Sequence, residues 1–153
     1  MITLDSTDKI ILQMLQEDAK RNVKEIAAAL KMSKTPIYER IKRLEKEGII
    51  LKHVALVDKK KLTNAMVVFC SVSLDVQKRE ELHKFNEAIS KIPEVVECYL
   101  MGGAFDYMLK VIVSDLEAYH IFSSDKLAVL PNIKQIKSFF VLNEVKYSTA
   151  VPV

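Results

Sequence analysis

The chain has 153 residues, half of them hydrophobic and 28% charged, with a formal net charge of +3; that is enough apolar material for one ordinary domain or two small ones. No apolar run approaches the roughly 18–20 residues that cross a bilayer, the longest candidates being AMVVFC and FFVL, and MITLDSTDK has acidic residues where a secretory signal needs a basic start, so a cytoplasmic protein without a membrane partner is expected. The charge is uneven: residues 1–61 hold 14 Lys/Arg against 9 Asp/Glu (+5), and residues 62–153 hold 9 against 11 (−2), which makes the first part the one suited to a polyanion.

In chain order, Asp5 is a good N-cap, and Ile11, Leu12 and Leu15 follow at helical spacing, predicting a helix over 6–17. Asn22 caps a second, short helix, with Glu25 three residues on to complete a capping-box pair and Val23, Ile26, Ala27 and Leu30 as its apolar stripe. Ser33 caps a third, SKTPIYERIKRLEKEG, which tolerates Pro36 in its first turn and stops at Gly48. Ile37, Ile41 and Leu44 face inward; Thr35, Glu39, Lys42 and Lys46 face outward, with Tyr38 and Arg43 at the edges. Three short helices with a tight link between the last two describe a helix-turn-helix, whose final helix enters a DNA major groove. Ser33, Lys34, Thr35, Tyr38, Arg40, Lys42 and Arg43 are the candidate contacts, Thr35 and Tyr38 to bases or backbone and the cations to phosphate. Arg40 flanks the apolar stripe, and its alternative role is to pair with a carboxylate of the protein itself. Residues 51–64 read as a strand-like connector ending in Lys59, Lys60 and Lys61, which either touch DNA backbone or are a solvated linker.

From residue 65 the periodicity changes. MVVFCSVSL is a strand; a helix over 77–91 follows, then the strands VVECYLM and DYMLKVIV with GGAF between them. Ser114 and Glu117 predict a capping box for a helix reaching about 129, and a last strand spans roughly 135–146. The order strand-helix-strand-strand-helix-strand predicts a ferredoxin-like antiparallel sheet covered by two helices on one face. Apolar residues alternate on both faces of the strands, so the helix-free face is expected to be buried by a second copy, giving at least a dimer. The fold class is therefore α+β: a helix-turn-helix domain at 1–50, a connector at 51–64 and a ferredoxin-like domain at 65–153.

Cys70 and Cys98 lie in apolar stretches with no Cys or His at metal-ligand spacing and are expected to be buried free thiols. The three histidines are scattered singly, and no nucleophile, base and acid share a local signature. No catalytic residue, metal or cofactor is expected, and the chain is not read as an enzyme.

LDSTDKIILQMLQEDAK, SKTPIYERIKRLEKEGII, GGAFDYMLKVIVSD and FFVLNEVK together resemble the Lrp/AsnC (feast/famine) family of prokaryotic transcription regulators over essentially the whole length. The resemblance implies dimers that assemble further, to octamers or similar, and amino acids bound at interfaces between second domains. Many members have a glycine after the position of Leu62, and this chain, with LTNAM, does not. Within MGGAFDYML (101–109), Gly103 and Asp106 match the family's effector motif, and Leu116, Phe139, Phe140 and Val141 fall where it places neighbouring pocket residues. The residues themselves also allow a plainer reading, a hairpin turn in which the glycines supply positive φ angles and Asp106 stabilises the turn. The expected function is sequence-specific transcriptional regulation through double-stranded DNA, modulated by an amino acid or related small molecule. The alternatives are an architectural DNA-binding protein without effector, or a metabolite-binding regulatory subunit of an enzyme.

Overall fold

Capping side chains decide where the first helices begin. In the computed structural model, which describes residues 3–62 and 65–153, α1 (Ser6–Glu17) starts after Asp5. The Asp8 N–H donates to the Asp5 carboxylate at 2.8 Å, and the Asp5 N–H donates to the Asp8 carboxylate at 3.2 Å. Asn22 and Glu25 close the same reciprocal pair at the start of α2 (Val23–Ala29). A tight turn follows, in which Lys31 takes a left-handed φ of 53° and the Met32 N–H donates to the Ala27 carbonyl, satisfying a helix-end acceptor. The third helix, α3 (Lys34–Lys46), begins after Ser33, which has cap backbone geometry but makes no side-chain cap hydrogen bond; its expected capping role is therefore not fulfilled. At the other end, Gly48 with φ 71° lets the Ile49 N–H reach back to the Leu44 carbonyl. Ile11, Leu12, Ile26, Ala27, Ile37 and Leu44 form the core of the three helices.

The connector is not a strand. Residues 51–58 have no regular structure and no paired strand among the described residues, and Leu51, Val54, Leu56 and Val57 are exposed. The lysine run instead forms one helical turn, α4 (Lys59–Leu62), where Lys59 pairs with Glu144. Thr63 and Asn64 of LTNAM lie outside the described residues. The chain divides into two compact units, Met1–Leu56 with Lys146–Val153, and Val57–Val145. The last residues join the first unit through Gln16, whose amide donates to the Val151 carbonyl at 3.0 Å and accepts from the Val151 N–H at 2.6 Å.

The second unit runs β1 (Met66–Leu74), α5 (Arg79–Ile89), β2 (Val95–Leu100), β3 (Tyr107–Val113), α6 (Leu116–Ile121) and β4 (Ile133–Phe140). Its sheet has the order β2-β3-β1-β4 with every pair antiparallel, the ferredoxin-like arrangement. Val68, Cys70, Val72 and Leu74 of β1 and Tyr107, Leu109, Val111 and Val113 of β3 face the helices and meet Phe85, Ile89, Tyr119 and Phe122 in one core. A short polar chain runs through it: Tyr119 Oη lies 3.3 Å from Cys70 Sγ and also hydrogen-bonds Ser138 Oγ, and burial pushes the Tyr119 hydroxyl up to about 12.

Four details depart from expectation. Asp115, not Ser114, caps α6: the Ala118 N–H donates to its carboxylate at 2.8 Å, while the Ser114 hydroxyl donates to the same side chain. A carboxylate is the stronger acceptor for a helix N-terminus. That helix is α-helical only to Ile121 and continues as a π-helical segment, Phe122–Leu127, where the Ser124 hydroxyl occupies the His120 carbonyl. The last strand ends at Phe140, six residues earlier than predicted, with the Val141 N–H still donating to the Val67 carbonyl close to the start of β1. Cys70 is buried but Cys98 is exposed, on the edge strand β2 beside the cleft that separates it from α5.

Candidate functional site

The first candidate surface is α3. Ser33, Lys34, Thr35, Tyr38 and Glu39 are exposed along its N-terminal half, the end that reaches base edges in a helix-turn-helix. Tyr38 keeps 53% of its surface in water, and the Lys42 ammonium stands 5.8 Å from its ring centre while pairing with Glu45 at 2.9 Å. Lys34 and Lys46 have no carboxylate partner among the described residues.

The two arginines behave differently. Arg40 Nη1 meets Asp5 at 2.6 Å and Asp8 at 2.7 Å, and Arg43 Nη2 meets the second oxygen of Asp8 at 2.6 Å. Asp8 is 1% exposed. One buried carboxylate on α1 thus holds two cations of α3, and the alternative role offered for Arg40 is the one its geometry supports. These bonds tie α3 to the start of α1. Arg43, with 45% of its side chain exposed, retains donors directed to solvent.

The second candidate is the hairpin between β2 and β3. Neither Gly102 nor Gly103 has a positive φ, and a Cβ added at either meets nothing within 4 Å; the expectation that the glycines serve left-handed turn positions is not met. Asp106 closes the hairpin instead. Its carbonyl accepts from the Met101 N–H at 2.8 Å, its N–H donates to the Val72 carbonyl at 2.9 Å, and its carboxylate accepts from the Leu74 N–H at 2.7 Å. Leu74 is buried, so Asp106→Ala should strand that N–H and lower stability by about 1–2 kcal/mol in the absence of any ligand. Asp106→Asn, which keeps an acceptor, should recover most of it, as read from denaturant midpoints.

The other expected pocket residues are separated by the two-residue period of the strand. Phe139 lies opposite Phe69 on the helix-free face, whereas Phe140 lies opposite Val68 and meets the Tyr119 ring edge-on at 5.1 Å on the helix side. Val141 donates its N–H to the Val67 carbonyl, and Leu116 is exposed at the start of α6. Around Phe139 the sheet and hairpin enclose a cavity of about 200 Å³, lined by Ser71 and Ser73 of β1, Gln135 and Lys137 of β4, and Ala104 and Phe105 of the hairpin. Ser71, Ser73, Gln135 and Lys137 were not among the sequence candidates, although Gln135 and Lys137 precede Phe139 by four and two residues and share its face.

A larger cleft of about 410 Å³ lies between α5 and β2, beside Asn86, Ile89, Cys98 and Tyr107. It contains none of the candidate residues. The rest of the helix-free face is mixed: Val67, Phe69, Met108 and Ile112 surround an ion pair in which the Lys110 ammonium meets Glu97 at 2.8 Å, with the Tyr99 hydroxyl donating to the same carboxylate. Lys110 holds the Glu97 carboxyl below its ordinary value.

Residues 4–50 match the model of a winged helix-turn-helix DNA-binding domain, and residues 67–151 match that of the Lrp/AsnC ligand binding domain. The chain is 40% identical to the Bkd operon transcriptional regulator of Pseudomonas aeruginosa over 99% of both chains. Among solved structures, an AsnC family transcriptional regulator from Agrobacterium tumefaciens superposes with a TM-score of 0.92 at 38% identity, covering 97% of each chain. A transcriptional regulator from Neisseria meningitidis, solved in complex with L-Met, gives 0.92 at 32% identity over 98% of this chain and 97% of the other. With one domain model matching more than half of the chain and a second matching its helix-turn-helix, the chain belongs to the Lrp/AsnC family of transcriptional regulators.

Proposed function

We propose that this regulator reads DNA with the outer face of α3 and is modulated by an amino acid or related small molecule held beside the 101–106 hairpin. The observation that carries the first part is the division of labour on α3: Asp8 holds Arg40 and Arg43 while Lys34, Thr35 and Tyr38 remain turned outward. Base contact falls to Thr35 and Tyr38, phosphate contact to Ser33, Lys34, Lys42 and the solvent-directed part of Arg43. The pocket beside Asp106 supports the second part, together with the L-Met complex of the relative from Neisseria meningitidis.

The assembled form in this proposal is a dimer closed over the helix-free face of the sheet, with dimers associating further, to octamers, in the cytoplasm. Two-fold symmetry then presents two copies of α3 to a pseudo-palindromic site. Salt titration of binding to a defined operator tests the DNA surface. Each phosphate contact adds about 0.9 to the slope of log affinity against log salt, so Lys34→Ala should reduce the slope of a dimer by about 2 while leaving the folded state intact. An unchanged slope removes Lys34 from the interface. Equal affinity of the wild-type protein for random DNA would instead favour an architectural role.

A further inference from the structure

A carboxylate occupies the outermost position of α3. At about 100° per residue, Glu39 lies within about 20° of the direction opposite Ile37, Ile41 and Leu44, the residues by which the helix packs on its core. Glu39 is exposed, and Thr35, one turn earlier, shares its line on the helix surface. Two cations stand at the spacing that neutralises a helical glutamate, Lys42 three positions on and Arg43 four. Both are committed elsewhere: the Lys42 ammonium meets Glu45 at 2.9 Å, and Arg43 meets Asp8 at 2.6 Å. The Glu39 carboxylate has no partner among the described residues. It is also the one acid in the stripe formed by Thr35, Glu39, Lys42 and Lys46.

A free carboxylate at that place opposes DNA binding unless a base donates to it. The phosphates along the rims of the groove repel it. A helix seated in the major groove turns its outermost residues to the floor, where the base edges are exposed. Three of the four bases meet a carboxylate there with an acceptor: guanine with N7 and O6, thymine with O4, and adenine with N7 beside its N6 amino group. Cytosine alone offers an amino donor, at N4, without an acceptor of its own. Resting on the reading that α3 enters the groove, we propose that Glu39 is a specificity-determining residue that accepts a hydrogen bond from the N4 amino group of one cytosine in each half-site. The same charge makes binding to every other base at that position less favourable, so Glu39 selects by repulsion as well as by attraction.

The test is selection from a random double-stranded DNA library by the full chain, comparing the wild type with Glu39→Gln and Glu39→Ala. Affinities are then measured on the selected site and on its single-base variants. The wild type is expected to fix a cytosine in each half-site and to lose about tenfold in affinity when that base pair is changed. Glu39→Gln should turn the preference at that position to adenine, which a carboxamide reads through N6 and N7. Glu39→Ala should accept any base there, keep the rest of the motif and bind random DNA more tightly than the wild type. Both variants should melt as the wild type does, because the Glu39 carboxylate has no partner in the described part of the free protein. The proposal is overturned if the wild type fixes no cytosine or if both variants keep the wild-type preference. It is also overturned if Glu39→Ala gains affinity for every sequence equally, which leaves Glu39 as a repelling charge only. Salt titration of Lys34→Ala separates these failures from failure of the underlying reading. A reduced salt slope in Lys34→Ala with an unchanged motif in the Glu39 variants removes Glu39 alone. No change in any of the three variants removes α3 from the DNA surface, and both proposals fall.

Discussion

Asp8→Ala is expected to lower the stability of the helix-turn-helix unit by about 2–3 kcal/mol and to weaken DNA binding with it. Removing one partner of a buried ion pair typically costs about 3–5 kcal/mol. Here the stranded arginines are 26% and 45% exposed and can turn toward water, which brings the figure down, while the loss of the return bond to the Asp5 N–H adds a capping contribution. Arg43→Ala should cost less, because Asp8 keeps Arg40. The measurement is the denaturant midpoint at constant slope; a change under about 0.5 kcal/mol would show that the clamp contributes little. The same cluster gives the unit an acid limit. The Asp8 N–H and then Arg40 hold the Asp5 carboxyl below its ordinary value. A lowered folded-state value means that this contribution is fully present above the unfolded carboxylate's titration range and is lost as pH falls through the folded value.

Ile112→Asp is expected to convert the proposed dimer to monomers at concentrations where the wild-type chain is associated. Ile112 sits opposite Val67 on the helix-free face, away from the hairpin pocket, so the substitution spares both the core and the candidate site. In a two-fold interface the change enters twice, and each unpaired charge taken out of water costs several kcal/mol in practice; the dissociation constant should rise by about 100-fold or more. Sedimentation equilibrium reads this directly. A wild-type monomer, or a variant that associates unchanged, would remove the sheet face as the interface.

The features legible in the sequence are those settled within a few residues. Asp5 and Asp8, and Asn22 and Glu25, satisfy each other across three positions, so helix starts follow from local chemistry. The strands of the second unit follow from a period of two and from the β-branched composition of segments such as MVVFCSVSL. What the sequence hid depends on partners far along the chain. Arg40 and Arg43 look like phosphate ligands until Asp8, more than thirty positions earlier, is brought against them. Asp106 looks like an available carboxylate until Leu74, 32 positions away, donates to it. Cys98 sits in as apolar a stretch as Cys70, and only its place on an edge strand leaves it exposed. Of the residues that line the hairpin cavity only Phe139 was a sequence candidate, and counting back by twos along β4 would have added Lys137 and Gln135.

The sheet is one residue thick where Phe139 and Phe140 turn to opposite sides. On the open side are Ser71, Ser73, Gln135, Lys137 and Phe139; alternating with them on the helix side are Val72, Leu74 and Ile136 of the core, and Phe140, which meets Tyr119 edge-on and stays partly exposed. Substitution on the first set changes the shape and charge of the helix-free face while leaving the second set's packing intact. Five side chains on the open face can therefore vary without repacking the helix-side core, so the chemistry of that face and the stability of the scaffold are set by different residues of the same two strands.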